Sequence, residues 1–412
     1  MSETDLASTT LATPLAALLE TAARPHQIGA YRLCAYRGVL TPCELDAPAR
    51  ETAALANDAA IHDLGWLKRV AVRGEDRFRW LSGMVTNTVN DLFPNSGAWN
   101  LVLNAQGRIQ GDLTVWREGE ELSPQRRNPA GDAPGYRDPL LGTPFAGESG
   151  LELEIAADQF DRLMAHLNRF IIMDDVELVP LGEEQAGEAG PSTAVGLTGP
   201  RADEVLERLG LPVFAHPMMG TSVEWNGLDL RIERGYGVVA KHYAFWVQPS
   251  GLAKLWKYLL AAGATPVGSA RVEAFRIAEG IPAFGIDIVE RDLPQESSQM
   301  RALHFNKGCY LGQEIVERIR SRGSVHRHLR ELELNGPLPA AGAELSLDRV
   351  IAGQITSVAE LPLPSGSRLF ALAMIRGQAE AGSQEFTYSY VTGAGRARIL
   401  DGPPVLGGGP GD

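Results

Sequence analysis

Asn306-Lys-Gly-Cys-Tyr-Leu-Gly-Gln-Glu314 holds more varied polar chemistry than a simple connection needs. Gly308 and Gly312 permit tight turns or close approach to a ligand. Lys307 stands two residues before the Cys309 thiol, where its charge favours the thiolate and can pair with an anion. Tyr310 adds an aromatic ring, and Gln313 and Glu314 add directional polar groups. From the residues alone two readings stay open. One is a functional loop built around Cys309; the other is a turn into a helix over Gln313 to Arg320, with Cys309 as buried filler.

Charge reinforces the first reading. From Arg301 to Arg330 there are seven Lys or Arg (301, 307, 318, 320, 322, 327 and 330) against Glu314 and Glu317, in a 412-residue chain of net charge −13. Such a run suits either a solvated helix face or an anionic ligand. His304, His326 and His328 near Cys309 match no standard ligand spacing, so no metal site is expected. A hydrophobic content of 44% and a charged content of 22% are ordinary for a globular protein, and exclude global disorder, collagen and coiled coil. The net charge excludes a nonspecific coat around nucleic acid or an anionic membrane. Cys34, Cys43 and Cys309 form no CxxC pair; neither a disulfide framework nor a zinc site is indicated, and a reducing cytoplasm fits best. No apolar run reaches the length of a membrane span. P-loop, HExxH and GxSxG signatures are missing. Gly235-Tyr-Gly-Val-Val-Ala240 matches the loose dinucleotide pattern but precedes a strand-like segment, and reads as a strand turn.

Patterning first looks folded from about Glu51. Val70 to Val72 reads as a strand, Gly74 as a turn, and Phe78, Leu81 and Val85 as one helix face. Trp99 to Asn104 and Gly107 to Trp116 read as a hairpin with Asp112 in its second strand. Six Gly and five Pro between Glu118 and Gly150 mark a flexible insertion. Asp158 reads as an N-cap for a helix carrying Phe160, Leu163, Met164, Leu167 and Ile171. Ala194 to Leu209 echoes the strand, Gly, helix order of Val70 to Val85, which points to two related α+β halves. After Arg330 short strands separated by Gly and Pro turns indicate a small antiparallel sandwich or barrel. The expected division is an N-terminal extension over 1–50, partly disordered, a two-subdomain α+β region over 51–325 with the insertion at 118–150, a C-terminal β-barrel over 326–400, and a disordered tail over 401–412.

Lys307-Gly-Cys-Tyr-Leu-Gly-Gln-Glu314 resembles the signature of the YgfZ family, bacterial relatives of a mitochondrial iron–sulfur maturation protein and cousins of the aminomethyltransferase of the glycine cleavage system. Gly83-Met-Val-Thr-Asn87, Leu103-Asn-Ala-Gln-Gly-Arg-Ile109 with Asp112, Arg276-Ile-Ala-Glu-Gly-Ile-Pro282 and Leu293-Pro-Gln-Glu296 agree with that superfamily. The resemblance implies an α+β, aminomethyltransferase-like ring of two related domains plus a small C-terminal antiparallel β-barrel. It also implies tetrahydrofolate, or a one-carbon derivative, as cofactor. Two departures stand out. Gly111 precedes Asp112 where the transferases tend to carry paired aspartates, and Arg234 to Phe245 lacks the carboxylate that grips the pterin in the cousins.

The expected activity is that of a folate-binding protein supporting assembly or repair of iron–sulfur clusters in client enzymes, with Cys309 and Asp112 as catalytic residues. The expected cofactor contacts are Asn87, Asp112, Arg276, Lys307, Tyr310, Gln313, Glu314 and Arg318. Asp112 and Glu314 would anchor the pterin, while Arg276, Lys307 and Arg318 would meet its acidic tail. The alternatives are a folate-dependent one-carbon transferase, acting on an aminomethyl carrier or a tRNA base, and a module that binds folate without chemistry. Expected partners are folate and iron–sulfur client proteins or assembly factors, around a monomeric chain. For nucleic acid the only candidate surface is the basic helix Gln313 to Arg322, which lacks interleaved aromatics.

Overall fold

A computed structural model describes residues 11–21, 31–119, 150–182, 192–237, 240–323, 325–390 and 393–406. The body is an eleven-stranded sheet made of two leaves that share one four-strand, one-helix unit. In one leaf the strand Leu67–Arg73 is followed by the helix Arg77–Met84 and the strands Ser96–Leu103, Ile109–Arg117 and Leu151–Ala156, with the first strand pairing with the last. In the other, Thr193–Thr198 is followed by the helix Ala202–Leu209 and the strands Met219–Trp225, Leu228–Arg234 and His242–Val247, again with first pairing to last. The leaves join through the Met219–Ser96 pair. The echo read between Val70 and Leu209 is therefore a repeat of topology.

Each leaf buries its own core. Leu197, Phe245 and Trp256 belong to one, and Val70, Leu81 and Leu163 to the other. Six strands between Arg327 and Ile399 close into an antiparallel barrel around Leu332, Ile375 and Phe386. A further core, including Phe275, Leu303 and Phe370, ties the barrel to the helix Ser269–Ala278.

Among the described residues ordered structure is present before Glu51, earlier than the first folded-looking pattern, while residues 1–10 and 22–30 of the expected extension lie outside the described residues. The helix Pro14–Leu19 buries Leu15 and Leu19, and Arg32–Tyr36 pairs with Val39–Glu44 through a two-residue turn. Arg37 and Gly38 both have positive φ (49° and 83°), the conformation of the hairpin turn that matches strand twist. Cys34 and Cys43 are joined across this hairpin, so the expectation that no disulfide forms is corrected. Asp158 lies in the first turn of the helix Ala157–Asn168, whose N-cap is Ala156. Most of the expected insertion (120–149), residues 183–191 and the last six residues of the tail lie outside the described residues; Leu406, in the described part of the tail, is buried. Among the described residues no helix is long and apolar enough to cross a membrane.

Candidate functional site

Strand alternation in Ile109–Arg117 sets the site. Leu113 and Val115 are buried in the core, whereas Asp112 and Thr114, two residues apart on the other face, line a cavity of about 280 Å³. Gly111 points away from the cavity: a Cβ there would lie 2.7 Å from both Gln159 Oε1 and Leu163 Cδ2. The missing side chain thus lets the helix Ala157–Asn168 pack closely and bring Gln159 to Asp112. Gln159 Nε2 donates to Asp112 Oδ1 (3.0 Å), and the Asp112 backbone N–H donates to Gln159 Oε1 (3.1 Å). Trp99 Nε1 donates to Asp112 Oδ2 at 2.8 Å. Burial pushes the Asp112 carboxyl above its ordinary range, and these two side-chain bonds pull it back. An aspartate at 111 would face the helix, so of positions 111 and 112 only the second can present a carboxyl to the cavity.

Around Asp112 the cavity is walled by Tyr36, Trp66, Trp99, Trp116 and Tyr236. Arg234 to Phe245 has no carboxylate, but two glutamates outside that stretch line the cavity. Glu233 precedes that stretch directly, and Glu154 lies across from Thr114 on the next strand; both line the cavity. Glu233 accepts from Arg69 Nη2 (3.0 Å), Arg231 Nε (2.5 Å) and Trp246 Nε1 (2.9 Å). Burial, then the nearby Glu233 charge, pushes Glu154 up to about 8, so it is mostly a neutral acid at pH 7. His62 and His242 stack at 5.7 Å and share the Thr198 hydroxyl, and burial lowers them to about 3 and about 4.

Of the residues expected to hold the cofactor, Asp112 and Arg276 reach this cavity; Asn87, Lys307, Tyr310, Gln313, Glu314 and Arg318 do not line it. Arg276 is held by the protein itself. It is 10% exposed, donates to both Glu273 oxygens, to the Ile281 carbonyl and to Asp287 Oδ2, and so has its donors committed within the protein. Asn87 organises its own turn, with Nδ2 donating to the carbonyls of Trp99 (3.0 Å) and Arg301 (2.8 Å).

The loop at 307–314 is a clasp. Lys307 Nζ donates to the carbonyls of Val85 and Asn87, both at 2.6 Å, and the Leu311 N–H donates to the Gly83 carbonyl. Gly312 has φ +80°, and a Cβ there would fall 2.4 Å from the Asn104 carbonyl oxygen. The stretches Gly83–Asn87 and Leu103–Ile109 therefore meet this loop, which explains why they occur together in one sequence. Gln313 opens the helix Gln313–Arg322 with its Oε1 accepting from the Tyr310 N–H. Cys309 is exposed, which corrects the reading of it as buried filler. Glu314 and Arg318 are exposed too, and no hydrogen bond or ion pair holds either side chain among the described residues. The single expected site is thus two places, a cavity at Asp112 and a surface loop at Cys309.

Burial lowers Lys307 to about 7 from its ordinary 10.5. Between those values the unfolded chain binds the proton that the folded chain has released, so this group makes stability rise with pH from about 7 to 10.5. Urea midpoints measured across that window are expected to rise less steeply in Lys307→Met than in the parent; an unchanged slope would show that the amine is not buried as described.

The N-terminal part, residues 23–123, matches the family described as the GCVT N-terminal domain. An aminomethyltransferase of Bartonella henselae superimposes with a TM-score of 0.74 at 18% identity, covering 95% of this chain and 98% of that one. This is the GcvT-like aminomethyltransferase fold. Aminomethyltransferases of Rubrobacter xylanophilus (24% identical, 87% of each chain) and Rippkaea orientalis (25% identical, 84% of this chain and 85% of that one) are similar in sequence over the same extent. A chloroplastic candidate transferase of Arabidopsis thaliana is 24% identical over 79% of this chain and 67% of its own. These relatives support a place in the GcvT-like superfamily. Within this fold Glu154, Glu233, Trp99 and Tyr236 are site residues that sequence reading did not single out. Leu151-Glu-Leu-Glu-Ile155 did carry a signal for the first, since strict alternation puts both glutamates on the face opposite the core.

Proposed function

We propose that this chain is a tetrahydrofolate-binding protein whose cavity holds the reduced pterin, and that its Cys309 loop serves the assembly or repair of iron–sulfur clusters in client proteins. The observation that carries the folate reading is Asp112, fixed by Trp99 and Gln159 inside an aromatic-walled cavity of the GcvT-like fold. The residues suit the group. A bicyclic ring with a polar edge needs flat apolar walls and a few directed polar groups. Trp66, Trp99, Trp116 and Tyr236 provide the walls, and Asp112 and the mostly neutral Glu154 provide carboxyls able to face ring N–H and carbonyl groups. Tetrahydrofolate, when bound, supplies the N5 and N10 nitrogens that carry one-carbon units. The protein's part is to orient that ring and to hold Asp112 beside it. The iron–sulfur part rests on the resemblance of Lys307 to Glu314 and on the exposure of the thiol, which leaves Cys309 open to a partner protein.

Calorimetric titration with tetrahydrofolate tests the first part. Asp112→Asn is expected to weaken binding by about tenfold or more, in keeping with a hydrogen bond to a charged group. Cys309→Ala is expected to leave binding unchanged and to lower the activity of cluster-dependent enzymes in cells. Absence of binding by the folded parent would overturn the folate reading. Loss of cellular function in Asp112→Asn with none in Cys309→Ala would favour a one-carbon transferase instead.

A further inference from the structure

Three arginines line the cavity, and two are already neutralised. Arg37 pairs with Asp158 at 3.4 Å, and Arg276 with Glu273 and Asp287. Arg301 differs. Its guanidinium lies 5.1 Å from the Trp99 ring and 5.0 Å from the Tyr236 ring, and among the described residues no carboxylate forms an ion pair with it. Among the described residues its buried Nε has no hydrogen-bond partner. Aromatic rings this close hold a guanidinium in place without using its in-plane N–H groups. The most economical partner for these donors is a planar anion arriving with a ligand, since among the described residues the guanidinium has only the Glu279 charge acting on it, from beyond ion-pair distance.

We infer that Arg301 receives a carboxylate of the cavity's ligand, and that this fixes the ligand's direction. Trp99 is the divider: its N–H is bound to Asp112, while its ring faces Arg301. Glu154 lies across the strands from Thr114, next to Asp112 along the cavity floor. An acidic tail therefore binds at Arg301, the centre of the ligand passes Asp112, and the N–H-rich ring reaches Glu154. This assignment rests on the folate reading for the identity of the ligand. It moves the tail contact from Arg276, Lys307 and Arg318 to a residue whose donors are not spent inside the protein.

Three probes separate the two claims: tetrahydrofolate, 6-methyltetrahydropterin, which has the ring without the tail, and p-aminobenzoylglutamate, which has the tail without the ring. Titrated into the full-length chain, Arg301→Gln is expected to lose about 10- to 100-fold in affinity for the first and third probes and to keep parental affinity for the second. Arg301→Lys retains the charge but not the planar fork, and is expected to fall between the two. Glu154→Gln is expected to weaken the pterin probe and spare p-aminobenzoylglutamate. Equal affinity of parent and Arg301→Gln for p-aminobenzoylglutamate, or equal losses on all three probes, would overturn the assignment while leaving the folate reading in place. Arg301-dependent binding of p-aminobenzoylglutamate with no binding of either pterin would overturn the folate reading and keep the anion site. A parent that binds none of the three would overturn both.

Discussion

Asp287→Ala is expected to lower the unfolding free energy by about 3–5 kcal/mol, the range for removing one partner of a buried ion pair. Asp287 is 2% exposed and accepts four hydrogen bonds. Its Oδ2 takes Arg276 Nη1 (2.8 Å) and the Ala283 N–H (2.9 Å), and its Oδ1 takes the Thr356 and Ser357 hydroxyls, both at 2.6 Å. One carboxylate therefore joins the helix Ser269–Ala278, the loop after it and the barrel strand Val350–Leu363. Alanine would leave a guanidinium, two hydroxyls and an amide buried and short of a partner. Urea unfolding of parent and variant reads the difference directly, and a loss below about 1 kcal/mol would place Asp287 among ordinary neutral hydrogen bonds.

Glu233→Ala is expected to be comparably destabilising, by about 3–5 kcal/mol, because it strips a shared acid from Arg69 and Arg231. All three side chains are 5% exposed or less, and Arg69 also lies over the Trp246 ring at 4.7 Å. The milder Glu233→Gln gives a second readout through Glu154. With its folded value near 8 and its ordinary value at 4.5, Glu154 binds a proton in the folded chain that the unfolded chain lacks. The stability it contributes is complete below 4.5 and is lost as pH rises through about 8. Removing the neighbouring Glu233 charge brings the folded value of Glu154 down, so the fall in urea midpoint between pH 4.5 and 8 is expected to be shallower in Glu233→Gln. A steeper fall would contradict the arrangement of these charges.

What the sequence made legible followed periodicity. The helix Ala157–Asn168, the repeat of strand, turn and helix, and the barrel's strands all bury alternating or helical patterns that can be counted. The hairpin Arg32–Glu44 was hidden because Pro42 interrupts its second strand and because Arg-Gly, in place of Asn-Gly, makes its turn. The candidate site was half legible. Asp112 was found, but the loop at Lys307 drew attention to charges that the fold spends on backbone carbonyls and to a thiol outside the cavity. Which cations are already neutralised depends on contacts between residues far apart in sequence, such as Arg37 with Asp158 or Arg276 with Asp287. Arg301 looked like one basic residue among seven; it is set apart by Trp99 and Tyr236, whose rings tertiary structure brings to 5.1 and 5.0 Å from its guanidinium.

The most direct measurement is a crystal structure of the chain grown with tetrahydrofolate. The account predicts density for the ligand in the Asp112 cavity, with its ring beside Glu154 and a tail carboxylate on Arg301. Ligand density on the Cys309 loop, or none in a cavity left open by the lattice, would contradict it.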